Sequence, residues 1–300
     1  MIGGEFHSVW IKGDGSTGFA GSCSSLFPWW SLTKTVLSIC ALRLAEDNLL
    51  SLDAARPNGP YTLRQLLQHR AGVPNYGSLK AYHEAVARKD TPWSRDRLLD
   101  AVGRDRFDFP PGTGWGYSNV GYMFVREAIE EATGGSVSAA VERLVFAPLG
   151  IHGVRFAVAV SDFEQVFWHE LHDYDPRWVY HGCLVGTPTD VAKVLHALFS
   201  GAILTPESLH QMMQRHELGG AVPGRPWTRC GYALGLMSGE MGAAGRAIGH
   251  SGGGPFGVNA AYHFPDLDMP VTVATFASGV DEGVAEHEAV AIALISDGRG

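Results

Sequence analysis

Positive charge is in short supply. Lys and Arg number 23 against 31 Asp and Glu, a formal net charge of -8 over 300 residues. No basic run interrupts that deficit, so phosphate neutralisation has no residues to work with and a nucleic-acid partner is excluded. Cysteine is scarce too. Cys23, Cys40, Cys183 and Cys230 are widely and irregularly spaced, with no C-x-x-C pair, which reads as buried free thiols rather than a zinc site. No window is apolar over the length that a membrane span needs. Met1 to Gly21 lacks an apolar stretch of signal-peptide length, and Glu5 interrupts it early. The chain therefore reads as cytoplasmic as written; a periplasmic or secreted protein whose leader was removed reads the same way. Internal repeats and low-complexity segments are missing, and so is an H-E-x-x-H motif.

What is present is a globular composition, with 45% hydrophobic and 18% charged residues. The length suffices for one large domain or two interleaved ones around a sizeable core. The 38 glycines point to many tight turns and close backbone approaches.

Hydrophobic pattern organises the chain in three parts. Phe6, Val9 and Ile11 alternate weakly and lead to Gly13-Asp14-Gly15, which predicts strand, turn, strand. Leu32 to Ala45 is apolar nearly all round, as a helix buried in the middle of a protein must be. The middle is mostly helical. Thr62 and Gln65 form a capping box for a short helix, Leu63 to His69, stopped by Gly72 and Pro74. Further helices are expected from about Ser118 to Thr133, ending at Gly134-Gly135, and from Val137 to Phe146. Thr187-Pro188-Thr189-Asp190 and Thr205-Pro206-Glu207 each open another. Near Gly231 the pattern changes. Tyr232 to Met237, Gly257 to Phe264 and Val271 to Ala277 are expected strands, and Glu282 to Ile295 a last helix. Strands at both ends imply one antiparallel sheet with a helical insertion. The expected division is residues 1–45 with 228–300 as a discontinuous sheet domain and 46–227 as a mostly helical domain, with the active site between them.

Three short motifs could carry chemistry. Ser31 and Lys34 are about one helical turn apart and share a face at the head of the buried helix. Free N–H groups there favour developing negative charge, and a desolvated lysine can take a serine proton. The same spacing also fits a cap serine beside a surface lysine. Tyr117-Ser118-Asn119 follows the turn Pro110-Pro111-Gly112. Tyr117 could shuttle a proton and Asn119 could bond a substrate carbonyl; equally, the pair could be an aromatic packing residue beside a cap asparagine. His250-Ser251-Gly252-Gly253-Gly254 stands just before the expected strand from Gly257. Small residues there would let a substrate lie against a strand edge, or simply make a flexible hairpin turn.

Taken in order, S-x-x-K near the start, Y-x-N near one-third and H-S-G before the last strands resemble the penicillin-recognising serine hydrolases. The tyrosine version is similar to the branch of class C β-lactamases, D-alanyl-D-alanine carboxypeptidases and esterases. Leu66-Leu67-Gln68-His69-Arg70-Ala71-Gly72-Val73-Pro74 resembles that family's L-L-x-H-x-S-G-x-P segment, and Gly186-Thr187-Pro188-Thr189-Asp190 its G-x-x-S/T-x-x-D helix start. The resemblance implies an α/β (α+β), β-lactamase-like fold: an antiparallel sheet flanked by helices, with a mostly helical insertion. It implies an acyl-enzyme on Ser31, with Lys34 as its partner and Tyr117 as the base that shuttles the proton to the leaving group. Asn119, His250, Ser251 and Gly252 would bind substrate, and the N–H groups of Ser31 and Gly253 would form the oxyanion hole. No cofactor or metal is expected. The expected partner is a small-molecule or peptide substrate, and the sequence is silent on oligomeric state.

Two positions depart from the family pattern. Trp30 precedes the nucleophile where a small residue is usual, and Trp29, Trp30 and Trp115 flank the motifs as pocket or core residues. His250 stands where true β-lactamases carry lysine, which shifts the expectation from antibiotic hydrolysis toward a peptidase, amidase or esterase. Two other classes compete. One is a metal hydrolase using His169 and His172 with Asp173 and His181, although the two histidines are three apart rather than four. The other is a catalytically silent binding homologue.

Overall fold

The computed structural model describes residues 5–299. β1 (Phe6–Lys12) and β2 (Thr17–Ala20) form the expected N-terminal hairpin. After β3 (Phe27–Pro28), a 3-10 turn over Trp30–Leu32 runs directly into α1 (Thr33–Glu46). α1 is wrapped by protein, so that even Thr33, Lys34, Thr35 and Ser38 are out of water. The small hairpin β4 (Ala55–Arg56) and β5 (Gly59–Thr62) feeds α2 (Leu63–Leu67), which the Thr62/Gln65 capping box opens.

α3 (Lys80–Ala87), α4 (Arg95–Val102), α5 (Asn119–Thr133) and α6 (Val137–Val141) follow. Ser118 caps α5 by accepting from the Gly121 N–H, and Gly134 ends it in the left-handed conformation. The expected helix to Phe146 is present, but it widens into π geometry over Glu142–Phe146. Then come β6 (Arg155–Ala157), α7 (Val160–Phe163), β7 (Cys183–Gly186), α8 (Pro188–Phe199) and α9 (Pro206–Met213). Thr187 and Thr205 cap the last two helices as their sequences require. The chain closes with β8 (His216–Gly219), β9 (Arg229–Tyr232), β10 (Met237–Glu240), β11 (Arg246–Gly253), β12 (Val258–Phe264), β13 (Val271–Ala277) and α10 (Glu282–Ser296).

Eight strands form one antiparallel sheet in the order β2-β1-β13-β12-β11-β10-β9-β8. β1 pairs with β13, so the two ends of the chain meet inside the sheet and the helical part is inserted between them. Period-two alternation splits the sheet's side chains between two cores. Val258, Ala260, Tyr262 and Phe264 of β12 face Ala285, Ala289 and Ala293 of α10. Ala261 of β12 and Ala274 and Phe276 of β13 belong to the larger core shared with α1 and α8. β3, β7 and β6 form a separate three-stranded sheet, whose Pro28–Val185 pairing fixes the chain just ahead of Ser31.

Three expectations change. Tyr232 to Met237 is not a strand but the connection between β9 and β10, whose ends pair as Tyr232 with Met237. It reads as a strand because Ala233, Leu234 and Leu236 are all buried; they pack into the α1 core, and Gly235 passes close to Ser38 at φ +71°. The His250–Gly253 motif is not a turn ahead of a strand: it lies within β11, paired with β12. The division at 227/228 falls after β8, which already belongs to the sheet at 216–219, and α8 within 46–227 packs on β1 and β13. Cys40, Cys183 and Cys230 are buried free thiols, while Cys23 is half-buried and also free.

Candidate active site

The 3-10 turn presents Ser31 at the head of α1. Trp30 just before it holds φ +44°, a backbone state that costs roughly 1–3 kcal/mol and persists only where packing enforces it. The enforcement is visible: the Trp30 indole meets Phe163 and Tyr174 edge-on, and a Cβ at Gly254 would lie 2.4 Å from it. One turn along the helix, Lys34 Nζ lies 2.9 Å from Ser31 Oγ. From the other side, Tyr117 OH donates to the same oxygen at 2.8 Å. Tyr117 is delivered by the loop ahead of α5, where the Ser118 N–H donates to His69 Nδ1 at 3.1 Å.

Burial sets the protonation states. Lys34 is completely enclosed, and desolvation holds its pKa well below that of an ordinary lysine, against an opposing pull from Glu282. Its ammonium position also faces the rings of Tyr117 at 5.0 Å and Tyr122 at 5.7 Å. Tyr117 moves the other way. Burial raises its pKa, its bond to Ser31 opposes that, and Glu282 adds to the rise, so it stays a phenol. The polarity of the pair is therefore that of a neutral-prone amine and a reluctant acid around one hydroxyl.

The third motif sits on the sheet. β10 stops pairing at Met237–Gly249, so residues 250–253 have a strand partner on the β12 side alone. A Cβ at Gly252 would lie 2.7 Å from the Ser31 nitrogen, which explains why the position is bare. His250 is buried, with Nε2 2.9 Å from Tyr232 OH and Nδ1 against the Ser251 carbonyl. Burial, followed by the Lys34 charge, pushes it down to about 3. It is neutral near pH 7 and cannot hold a substrate carboxylate by charge. Ser251 faces the opposite side of the sheet, where its hydroxyl accepts from Arg225 at 2.8 Å and donates to Glu282 at 2.7 Å.

Ser31 lies at the seam of two clefts. One, of about 300 Å³, is walled by Trp30, Tyr76, Tyr82, Val86 and Tyr174. The other, of about 510 Å³, is lined by Trp115, Tyr117, Arg225, His250, Ser251 and Glu282. Asn119 and Gly253 border both. Of the flanking tryptophans, Trp30 and Trp115 therefore line the site, while Trp29 is a core residue packed on Phe146.

The structure also adds residues that sequence reasoning missed. His181 Nε2 is 3.2 Å from Lys34 Nζ, and His181 lines the smaller cleft together with Ser31. Burial and the Lys34 charge hold His181 well below the usual histidine range, and likewise His69, which packs on the Tyr117 ring at 4.3 Å. Arg225 and Glu282 enter from segments with no motif of their own. His181, which the rival metal reading grouped with His169 and His172, instead contacts Lys34. His169 and His172 lie on a 3-10 turn with ring centroids 6.2 Å apart, and His172 bonds the Val166 carbonyl. Among the described residues no three His, Cys, Asp or Glu side chains converge as a metal set. Nor is any described helix long and apolar enough to cross a membrane.

Comparison with known proteins agrees with this fold. The D-amino acid amidase from Ochrobactrum anthropi SV3 superposes with a TM-score of 0.80 at 20% identity, covering 98% of this chain and 95% of its own. Esterase EstB of Burkholderia gladioli is 27% identical, over 89% of this chain and 81% of that protein. The lovastatin esterase of Penicillium rubens is 26% identical over 62% of this chain and 58% of its own length. Apart from the Burkholderia esterase, the chain spans about half the length or less of the curated relatives it matches. The Beta-lactamase family model matches residues 17–297, nearly the whole chain, and the protein belongs to that family.

Proposed function

We propose that the chain is a serine hydrolase that works through an acyl-enzyme on Ser31 and turns over esters and D-residue amides better than β-lactams. The observation that carries this reading is the convergence of Lys34 Nζ at 2.9 Å and Tyr117 OH at 2.8 Å on one serine oxygen, at the seam of two clefts.

The protonation states suggest a division of labour. Neutral Lys34 takes the Ser31 proton as Oγ attacks the carbonyl carbon. Tyr117, held as a phenol, gives its proton to the departing alkoxide or amine and recovers one from Lys34. Water then attacks the acyl-enzyme, the same groups carry its proton back to Ser31, and the acid is released. The N–H groups of Ser31 and Gly253 are the assigned oxyanion hole. The close approach of Gly252 to the Ser31 nitrogen supports that assignment, because it sets the strand end beside the turn. Each such donor supplies about 3 kcal/mol. Asn119, bordering both clefts, is positioned to bond the substrate amide.

Neutral, buried His250 supports the substrate class. It cannot supply the permanent charge that a β-lactam carboxylate seeks. The relatives point the same way, since two are named as esterases and one as a D-amino acid amidase. A panel of a short-chain nitrophenyl ester, a D-amino-acid amide and a chromogenic cephalosporin tests the proposal. Ester or D-amide turnover above cephalosporin turnover, all abolished in Ser31→Ala, is the expected result. Dominant cephalosporin turnover would overturn the substrate class, and full activity in Ser31→Ala would overturn the mechanism.

A further inference from the structure

Arg225 lines the larger cleft, yet its charge is already spent. Its Nε donates to Glu286 Oε2 at 2.5 Å, and its Nη2 reaches Glu286 Oε1 and Ser251 Oγ. Glu286 is fully buried and takes two more bonds, from Trp227 Nε1 at 3.1 Å and Tyr262 OH at 2.6 Å. Four donor groups from three side chains thus close on this one carboxylate. Arg225 and Glu286 therefore form a closed, neutral pair beneath the cleft.

Glu282 is the charge left over. It stands one helical turn before Glu286 on the same face of α10. Its carboxylate lies 3.5 Å from Arg225, accepts the Ser251 hydroxyl through Oε2 and keeps 35% of its side chain open to solvent. Oε1 points toward the end of β11: a Cβ at Gly253 would lie 3.4 Å from it. In formal charge, one arginine and two glutamates leave this group with one negative charge in excess. Among the described residues lining this cleft, Arg225 is the only Lys or Arg. A substrate carboxylate entering here would meet Glu282, with no unpaired cation to offset it.

We infer that Glu282 selects substrate by charge: the larger cleft takes the part of an ester or amide that bears an ammonium group, and turns away a part that bears a carboxylate. Oε1 accepts from the ammonium, while Ser251 and Arg225 fix the carboxylate's orientation from below. The inference rests on the hydrolase reading of Ser31, but makes a separate claim about the neighbouring cleft.

Two matched ester series test it, one varying the acyl group and one the alcohol, each with ammonium, neutral and carboxylate members. In the wild type at low salt, the ammonium member of at least one series should exceed its carboxylate counterpart about tenfold or more in kcat/KM. The difference should lie in KM and shrink as salt is added, because an exposed charge is screened. In Glu282→Gln the ammonium-to-neutral ratio should fall and the carboxylate-to-neutral ratio rise, since the cleft then loses its uncompensated negative charge and no carboxylate repels an incoming anion. The ratios are internal to each protein, and the wild-type salt series needs no variant to fold. A wild type indifferent to charge in both series, or a Glu282→Gln variant with wild-type ratios, would overturn the assignment. Loss of Ser31-dependent turnover of the neutral members would instead sink the hydrolase reading itself.

Discussion

The two clefts that meet at Ser31 differ in charge: among the described residues, the smaller is lined by no Asp, Glu, Lys or Arg, and the larger by Arg225 and Glu282. The smaller is a wall of rings, with Trp30, Tyr76, Tyr82 and Tyr174 around the half-buried Val86. The larger ends in a charged triad, where Arg225 is neutralised from below and Glu282 is left facing the opening. Between them runs a narrow seam of proton chemistry, Lys34 to Ser31 to Tyr117. The proposed function gives bond breaking to the seam and substrate choice to the clefts. Changes in the seam should therefore cost every substrate alike, and changes in a cleft should reorder them.

The largest expected effect tests the seam. Lys34→Ala and Tyr117→Phe should each lower turnover by roughly 10²–10⁴-fold on every substrate, with the fold intact by circular dichroism. The double variant should lose little more than the worse single one, because groups acting as a unit are not additive. The pH profile separates their roles. Turnover should rise with pH through the lowered Lys34 pKa, since the amine must be neutral to accept a proton. That limb should persist in Tyr117→Phe; His250, down at about 3, does not supply it.

A second contrast concerns two basic side chains, the half-buried Arg225 and the fully buried Lys34. Arg225 is held by Glu286, so Arg225→Met would leave a buried carboxylate unpaired and should cost about 3–5 kcal/mol in a denaturant titration. Lys34 is enclosed beside a serine and a histidine. Its pKa is lower folded than unfolded, so the unfolded chain binds more protons below pH 10.5 and stability rises with pH toward that value. Lys34→Met removes that penalty. It should gain about 0.5–2 kcal/mol near neutral pH while losing activity. Loss of stability in Lys34→Met would mean that its bonds outweigh its burial.

The smallest effect concerns the aromatic cleft. Val86→Trp should fill it and lower kcat/KM for a bulky apolar ester by about 10–100-fold more than for an acetyl ester. It should leave the ratios among charged substrates largely alone, whereas Glu282→Gln should do the reverse. Equal loss on all substrates in Val86→Trp would merge the cleft with the seam.

The same division explains what could be read from sequence. Ser31, Lys34 and Tyr117 were singled out only when three motifs, each ambiguous by its own spacing, were read together as a family resemblance; the structure brings the three side chains within hydrogen-bond distance. The meeting of chain ends in one sheet was legible from the β1 and β13 patterns. His250 was found as a position, but its protonation state depends on burial under Tyr232 and beside Lys34, which no local pattern carries. Arg225 and Glu282 were missed, and His181 was considered only for a metal set, because the three come from distant segments and each is ordinary in its own surroundings. The only available signal for Glu282 was its place in the first turn of the last helix, and that reads as dipole complementation. The β9–β10 connection misled for a related reason: burial on α1 gives a turn the apolar look of a strand.

The central claim is that Ser31 becomes covalently acylated while Lys34 and Tyr117 handle its proton. It is tested most directly by phosphonylating the nucleophile with a fluorophosphonate, or acylating it with a slow nitrophenyl ester, and mapping the adduct by mass spectrometry. The account predicts one adduct, on the peptide containing Ser31, formed rapidly in the wild type and at least a hundredfold more slowly in Lys34→Ala, by the acid–base scale given above. An adduct on another residue, or labelling of Ser31 at the same rate without Lys34, would contradict it.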